Sequence, residues 1–352
     1  MSLVETLMQP LRSKYTAKTM DKNEMRFSRY GAWDFFQNQT ALGTGILTPE
    51  VKQLIKGSMG NTVKVPVLDA EDVVISNTRS CTVADSENTS KLVTLTFVTY
   101  SFGFTMTPSQ HYNNDVAYEQ DFQRKLEKYL LKFAATLDTA AVNKLNTDKN
   151  QYFPADLLAY YSQSGNALQV ADADKNDFYN NLEAIMNTMD YYDRINIIGS
   201  TSSKPLVNRL DAQGAGNGIN EAFQLGGYAW NYTNRIVNNE GVSATVYAVP
   251  DGYVAVENRN DPDARAGSRV GTSKEWSEVQ VPIVNMLMGS YYYEDCANKS
   301  ALNAGTAHLT RTKLEGFEWS TDVCYVTAYN SDPAARYSPI LKAEMLAPVV
   351  MP

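Results

Sequence analysis

Histidine is almost missing: the 352 residues contain 2. Imidazole is the side chain most used to move protons and hold metals near neutral pH, so histidine triads and histidine metal sites have little to draw on. Cysteine is scarce as well. Cys81, Cys296 and Cys324 lie far apart in no C-x-x-C pair, which argues against a disulfide framework or a zinc site and for reduced thiols in a cytosolic product. Long apolar runs are also lacking, since the richest, Val281–Met288, is far short of the ~20 residues that cross a bilayer. Met1–Pro10 has no basic stretch leading into a sustained apolar one, so no secretory signal is expected. No internal repeat or low-complexity segment is visible.

What is present is ordinary globular usage, 43% hydrophobic and 20% charged, enough to build a core. The length allows two domains, or one domain with large excursions. With 31 Lys and Arg against 39 Asp and Glu, the formal charge of −8 argues against gripping nucleic-acid phosphates over most of the surface. Tyrosine is unusually common at 22.

Residues 1–50 mix charges and aromatics without sustained periodicity and read as an extended arm with at most a short helix. From Asn61 the period is two: Val63, Val65 and Val67 alternate with Thr62, Lys64 and Pro66, and Val73–Ile75 follows as a short strand. Val93, Leu95 and Phe97 then share a face, but Tyr100, Phe102, Phe104 and Met106 share the next, so a bulge is expected near Val98. Together 61–107 reads as a long β-hairpin with a polar tip, and such a ribbon needs a partner surface.

After Pro108 the period becomes 3.6. Val116, Phe122, Leu126, Tyr129, Leu130, Phe133, Leu137, Ala140, Ala141 and Leu145 form one stripe of a helix from Asn113 to Asn146, roughly 50 Å long, with Asp121 and Lys125 as an i,i+4 pair. After an irregular stretch, a second helix is expected from about Asp174 to Arg194, with Phe178, Leu182, Ile185, Met186 and Met189 inward. Ile195–Gly199 reads as a buried strand, and Val242–Val249 and Tyr253–Val256 as a hairpin across Pro250-Asp-Gly252. Trp276–Met288 and Thr321–Tyr329 supply further strands, and the C-terminal segment leaves through Pro333, Pro339 and Pro348.

The chemical motifs are weak. Asp172, Asp174, Asn176 and Glu183 have calcium-loop spacing, but Asp177 stands where the loop needs glycine, and capping of the second helix is the plainer reading. Gly214-Ala-Gly216-Asn-Gly218 has no following Lys-Ser or Lys-Thr, which favours a loop over a phosphate site. Gly199-Ser-Thr-Ser-Ser203 follows a strand but is not G-x-S-x-G, and a triad would have to use His111 or His308. Paired carboxylates with Trp33, Trp230, Trp276 and Trp319 leave a carbohydrate-active enzyme or binding protein as the alternative from another class. No catalytic residue, cofactor or metal is assigned.

The order of elements resembles the major capsid protein of tailed double-stranded DNA bacteriophages, the Hong Kong 97-type α+β fold. The resemblance makes residues 1–50 the N-terminal arm and 51–110 the extended hairpin, or E-loop. It makes 111–194 with about 315–345 the peripheral domain, built on the spine helix, and 195–314 the mixed axial domain. Ile195–Gly199, Tyr232–Ile236 and Val246–Tyr253 look like axial strands, and Glu315–Trp319 with Tyr325–Tyr329 like the returning strand.

The implied function is a non-catalytic subunit that self-assembles as hexamers and pentamers into an icosahedral head. That head would enclose DNA without sequence-specific binding and meet portal, scaffold or decoration proteins. The implied location is the virion, after synthesis in the host cytoplasm. Arg79, Asp85 and Glu87 at the hairpin tip are the expected intersubunit contacts. A bacterial encapsulin-type shell is the related alternative.

Overall fold

In the computed structural model the described residues are 3–16, 30–41, 46–68, 90–111, 115–205, 228–267, 274–298, 311–328 and 338–348. They form an α+β structure with two larger sheets and a separate two-stranded ribbon.

The long helix is α4, Asp115–Thr147; helices α1 to α3 precede it, at Leu3–Thr16, Gly31–Ala41 and Pro49–Gly57. Phe122, Leu126, Leu130, Phe133, Leu137, Ala141 and Leu145 of α4 are buried as the 3.6-residue stripe requires. Tyr129 departs from expectation: it is 41% exposed and lies at the margin of the stripe, stacked on Phe102 and Phe104. Asp121 and Lys125 pair at 3.0 Å.

The first sheet has the order β10-β11-β12-β3, with β9 also on β12. Its strands are β3 (Val98–Met106), β9 (Val254–Arg259), β10 (Lys274–Val281), β11 (Met286–Asn298) and β12 (Arg311–Thr327). β12 pairs with β11 through Ser320 and then, from Asp322, with β9, while β3 takes its other edge. Phe102, Phe104, Phe317 and Trp319 point from this sheet towards Phe122 and Phe133 of α4.

The second sheet has the order β4-β5-β13-β8-β6-β7. It comprises β4 (Ser162–Ser164), β5 (Ala167–Val170), β6 (Ile195–Ser200), β7 (Ala229–Thr233), β8 (Val242–Pro250) and β13 (Leu341–Leu346). Helix α6, Lys175–Asn187, buries Phe178, Leu182, Ile185 and Met186 against it, with Met189 beyond its end. The helix ends well before Arg194, because Asp190 takes positive φ and the chain turns.

Several expectations are corrected. Val242–Val249 and Tyr253–Val256 do not form a hairpin: β8 pairs with β6 and β13, and β9 with β12. The C-terminal segment does not simply leave; β13 lies inside the second sheet, parallel to β5 and antiparallel to β8. The expected boundaries at 194 and 315 separate β5 from β8, yet one sheet holds both, while β10 and β11 lie with β12 and β3. The stretch before α6 also contains a short helix α5, Ala155–Leu158, and the β4–β5 hairpin.

The expected arm holds two helices, α1 and α2, rather than at most one short one, and α3 begins only at its end, at Pro49. In α1, which contains Pro10, Val4, Leu7 and Met8 are buried at helical spacing. In α2, Ala32, Trp33, Phe35 and Phe36 are buried, so the apolar surface runs most of the way round and shows no stripe. Asp138 of α4 fixes this helix: its carboxylate accepts the backbone N–H groups of Ala32 (3.0 Å) and Trp33 (2.9 Å) and the Thr233 hydroxyl. These are N-terminal groups with no partner within a helix, so a side chain from α4 completes α2.

Candidate assembly interface

The ribbon consists of β1, Thr62–Leu68, and β2, Ser90–Thr96, paired antiparallel from Thr62↔Thr96 to Leu68↔Ser90. One face is apolar and buried at Val63, Val65 and Leu95, with Val93 partly buried beside them. They pack on Leu47, Ile55, Ala255 and Val326, so the root of the ribbon rests on its own subunit. The expected slip falls at Phe97, which breaks β2 from β3 and donates its N–H to the Asn61 carbonyl at 2.8 Å. Phe97 is buried beneath the Arg259 guanidinium, 4.2 Å from the ring centroid. Arg259 also pairs with Asp322 at 3.1 Å and donates to the Ser58 carbonyl and hydroxyl, which ties α3 to the root.

The opposite face turns outwards. Thr62, Lys64, Pro66, Leu92, Thr94 and Thr96 are exposed, and the register sets Pro66 opposite Leu92. Met59 and Leu92 are 79% and 63% exposed, and Leu54 and Val98 are half exposed around the same root. Large apolar side chains left in water around one projecting ribbon mark a contact surface. Among the described residues, β3 also has no strand on its outer edge. β3 carries no charge and no proline, whereas the edge strand β10 has Lys274, Glu275 and Glu278, the usual protection against edge pairing.

Arg79, Asp85 and Glu87, with Cys81 and the Val73–Ile75 strand, lie outside the described residues. So do His308 and the glycines at 214, 216 and 218. Asp172 meets Lys175 at 2.6 Å, and Asp174 stands at the start of α6 without a capping hydrogen bond from its side chain. The serines after β6 bond to one another and to the backbone: Ser203 donates to the Ser200 carbonyl at 2.6 Å, and Ser200 and Ser202 share a hydrogen bond. His111 faces Asp121, near the start of α4, at 3.6 Å.

Two carboxylates do meet, Glu294 and Glu315, opposed across β11 and β12. Lys313 binds both, at 2.7 and 3.0 Å, while Tyr292 donates to Glu294 and Tyr118 to Glu315. These donors hold Glu294 below the usual carboxylate range. Trp33 and Trp319 are core residues, Trp230 stacks on Tyr232, and Trp276 packs on Tyr291. A separate pair of carboxyls is formed by the half-buried Asp34 of α2 and the buried Asp138 of α4, where desolvation, with Asp138 as a second cause, pushes Asp34 up to about 7.

No protein-family model matches the chain, and no curated protein matches it. Solved phage structures are similar to it. One from Mycobacterium phage Che8 is 8% identical, with a TM-score of 0.45 over 84% of this chain and 88% of that one. The capsid of Ralstonia phage GP4 is 10% identical, with a TM-score of 0.44 over 85% and 87% of the two chains. The mature capsid of bacteriophage PhiM1 is also 10% identical, with a TM-score of 0.43 over 83% of each.

Proposed function

We propose that the chain is a structural shell subunit, the major capsid protein of a tailed bacteriophage, which assembles with copies of itself into the icosahedral head. The observation that carries this reading is the β1–β2 ribbon, which is anchored at its root while Pro66, Leu92 and the neighbouring Met59 face outwards. A soluble monomer has no use for such a surface, and a closed shell requires each subunit to bury apolar area on its neighbours.

In this reading the segments 1–50 and 51–110 are the subunit's contact regions, with Arg79, Asp85 and Glu87 at the hairpin tip as polar contacts. Hexamers and pentamers of the chain form the shell, portal, scaffold and decoration proteins are its partners, and double-stranded DNA is its contents. The formal charge of −8 suits a wall that does not cling to packed DNA. The open edge of the first sheet at β3 fits the same picture, because β3 is the long, uncharged edge that a neighbouring copy would cover.

The test is purified protein on a sizing column and by negative-stain microscopy. Shells, rings or capsomers are expected; a monomer that stays a monomer at every salt concentration overturns the reading. Deleting residues 76–90 is expected to block assembly while leaving the circular dichroism and cooperative melting of the subunit intact.

A further inference from the structure

The solvent side of α4 carries a row of cations. Arg124, Lys128 and Lys132 follow one another at four-residue spacing, about 6 Å apart along the helix axis. All three are exposed, and none has an ion pair or side-chain hydrogen bond among the described residues. Elsewhere in the fold cations are commonly matched, as in Lys125 with Asp121, Lys144 with Asp148, Lys175 with Asp172 and Lys342 with Glu344. Two acids of α4 flank the row, and both are engaged: Asp121 is held by Lys125 at 3.0 Å, and Glu127 has a partner.

The row runs into a cavity of about 650 Å³, lined by Lys132, Thr136, Thr139 and Asn143, by Tyr100 of β3, and by Arg235 just after β7. Among the described residues no acid lines it. The Nε of Arg235 is buried with no hydrogen-bond partner, although the buried Asp138 lies close enough to feel its charge. Among the described residues no large apolar side chain is exposed within the row, and Tyr129 beside it is stacked on Phe102 and Phe104. A protein partner is gripped chiefly through buried aromatic anchors, which this face lacks, whereas a polyanion needs only cations at intervals.

We infer that the row Arg124, Lys128 and Lys132, continued by Arg235, receives the phosphate backbone of duplex DNA, and that this flank of α4 is the side the shell turns to its contents. The inference rests on the shell reading for that orientation and deepens it by naming the wall residues that meet the duplex. DNA carries one charge per about 1.7 Å of its axis, so phosphates lie within reach of every cation in the row while helix and duplex both stay straight. Contacts to phosphate carry no base information, so the hold is independent of sequence. On a subunit with a formal charge of −8, four cations give a weak and salt-sensitive contact: the wall as a whole repels the duplex, and the row sets where it comes closest.

The test is titration of a short fluorescent DNA duplex of arbitrary sequence with the unassembled subunit, read as anisotropy across a range of salt concentrations. With four phosphates neutralised, the affinity is expected to fall on the order of a hundredfold between about 50 and about 200 mM salt. The triple variant Arg124→Gln, Lys128→Gln, Lys132→Gln keeps one contact and is expected to lose less than about fivefold over the same range. Glutamine suits these exposed helix positions, and melting of the subunit identifies a variant that misfolds. A second triple variant, Lys64→Gln, Arg194→Gln, Lys274→Gln, removes the same charge from exposed positions elsewhere and is expected to keep the steep dependence.

Absence of duplex binding by the unaltered chain, or an equal loss in the two triple variants, overturns the inference. So does poly-glutamate that displaces the duplex better than unlabelled duplex does at matched charge, a result that gives the row to an acidic protein instead. Closed shells that bind added duplex on their outer surface through the same residues overturn the orientation. Assembly is scored separately on the sizing column. A chain that binds duplex through the row but never forms shells removes the shell reading and keeps the DNA-binding surface, whereas normal shells from a chain with no affinity for duplex remove the inference and keep the shell reading.

Discussion

Replacing Asp34 by Asn should stabilise the subunit, and only at the upper end of the pH range. Asp34 lies in the first turn of α2, next to a second buried carboxyl, and no described residue donates a hydrogen bond to it. Asp138 has the better claim to the negative charge, because two N–H groups and a hydroxyl already point at it. Asp34 therefore keeps its proton, and its ordinary value of 3.8 rises to about 7. The folded state binds this proton more tightly than the unfolded state, so stability falls as pH rises from about 4 to about 7 and levels off above. A rise of that size corresponds to about 4 kcal/mol as an upper limit. Partial solvation and the favourable field at the α2 N-terminus reduce it, leaving an expected gain of ~1–3 kcal/mol for Asp34→Asn at pH 8 and almost none at pH 4. The assay is urea unfolding of the unassembled subunit, followed by tryptophan fluorescence at the two pH values and read as the difference between variant and unaltered chain. An equal gain at both pH values, or a loss at pH 8, would refute the assignment of the proton to Asp34.

Other consequences can be checked with the same melts. Asp138→Ala removes the acceptor for two α2 N–H groups and the Thr233 hydroxyl, and should cost about 3 kcal/mol with exposure of Trp33. Gly31→Ala puts a Cβ against the Tyr232 carbonyl oxygen and 2.7 Å from its backbone nitrogen. Neither backbone can rotate away, so a loss of ~2–3 kcal/mol is expected, whereas a melt unchanged within 0.5 kcal/mol would mean that α2 does not meet β7 this closely.

The parts of the fold that were legible in the sequence are those whose burial is one-sided. The α4 stripe, the α6 stripe and the alternation of β1, β2 and β3 each face one core and water on the other side, so a period appears. Even the change of phase was readable, because Phe97 separates a ribbon that packs on α3 from a strand that packs on α4. Helix α2 was hidden because its buried residues, the polar Gln39 among them, spread over more than half of its circumference and leave no narrow apolar stripe. β13 was hidden because six residues between prolines carry Lys342 and Glu344, which pair with each other at 2.8 Å inside the second sheet. The candidate contacts at Arg79, Asp85 and Glu87 rest on sequence, and the cationic cavity could not be read there, since Lys132 and Arg235 are brought together only by the packing of β7 beside α2 and α4.

The failed hairpin at Pro250-Asp-Gly252 shows why turn chemistry alone could not decide the topology. The residues do turn, with Gly252 at a φ of 83° that suits glycine. Yet β8 has no free edge for β9 to join, because β6 holds one side and β13 the other. The turn is instead held by side chains from elsewhere. Gln39 of α2 donates to Asp251 at 2.8 Å and accepts the Gly252 N–H at 2.6 Å, Asn196 of β6 donates to the same carboxylate, and the Asp251 N–H reaches the Arg194 carbonyl. So braced, the chain leaves the second sheet and enters the first as β9, where it lies along β12 and helps to form the floor under the ribbon root. The residues that look like a local reversal are thus the crossing between the two sheets, and a helix from the expected free arm braces it. The N-terminal segment therefore serves as an internal strut through α2, and α1, with Val4, Leu7 and Met8 in the same core, packs inwards as well.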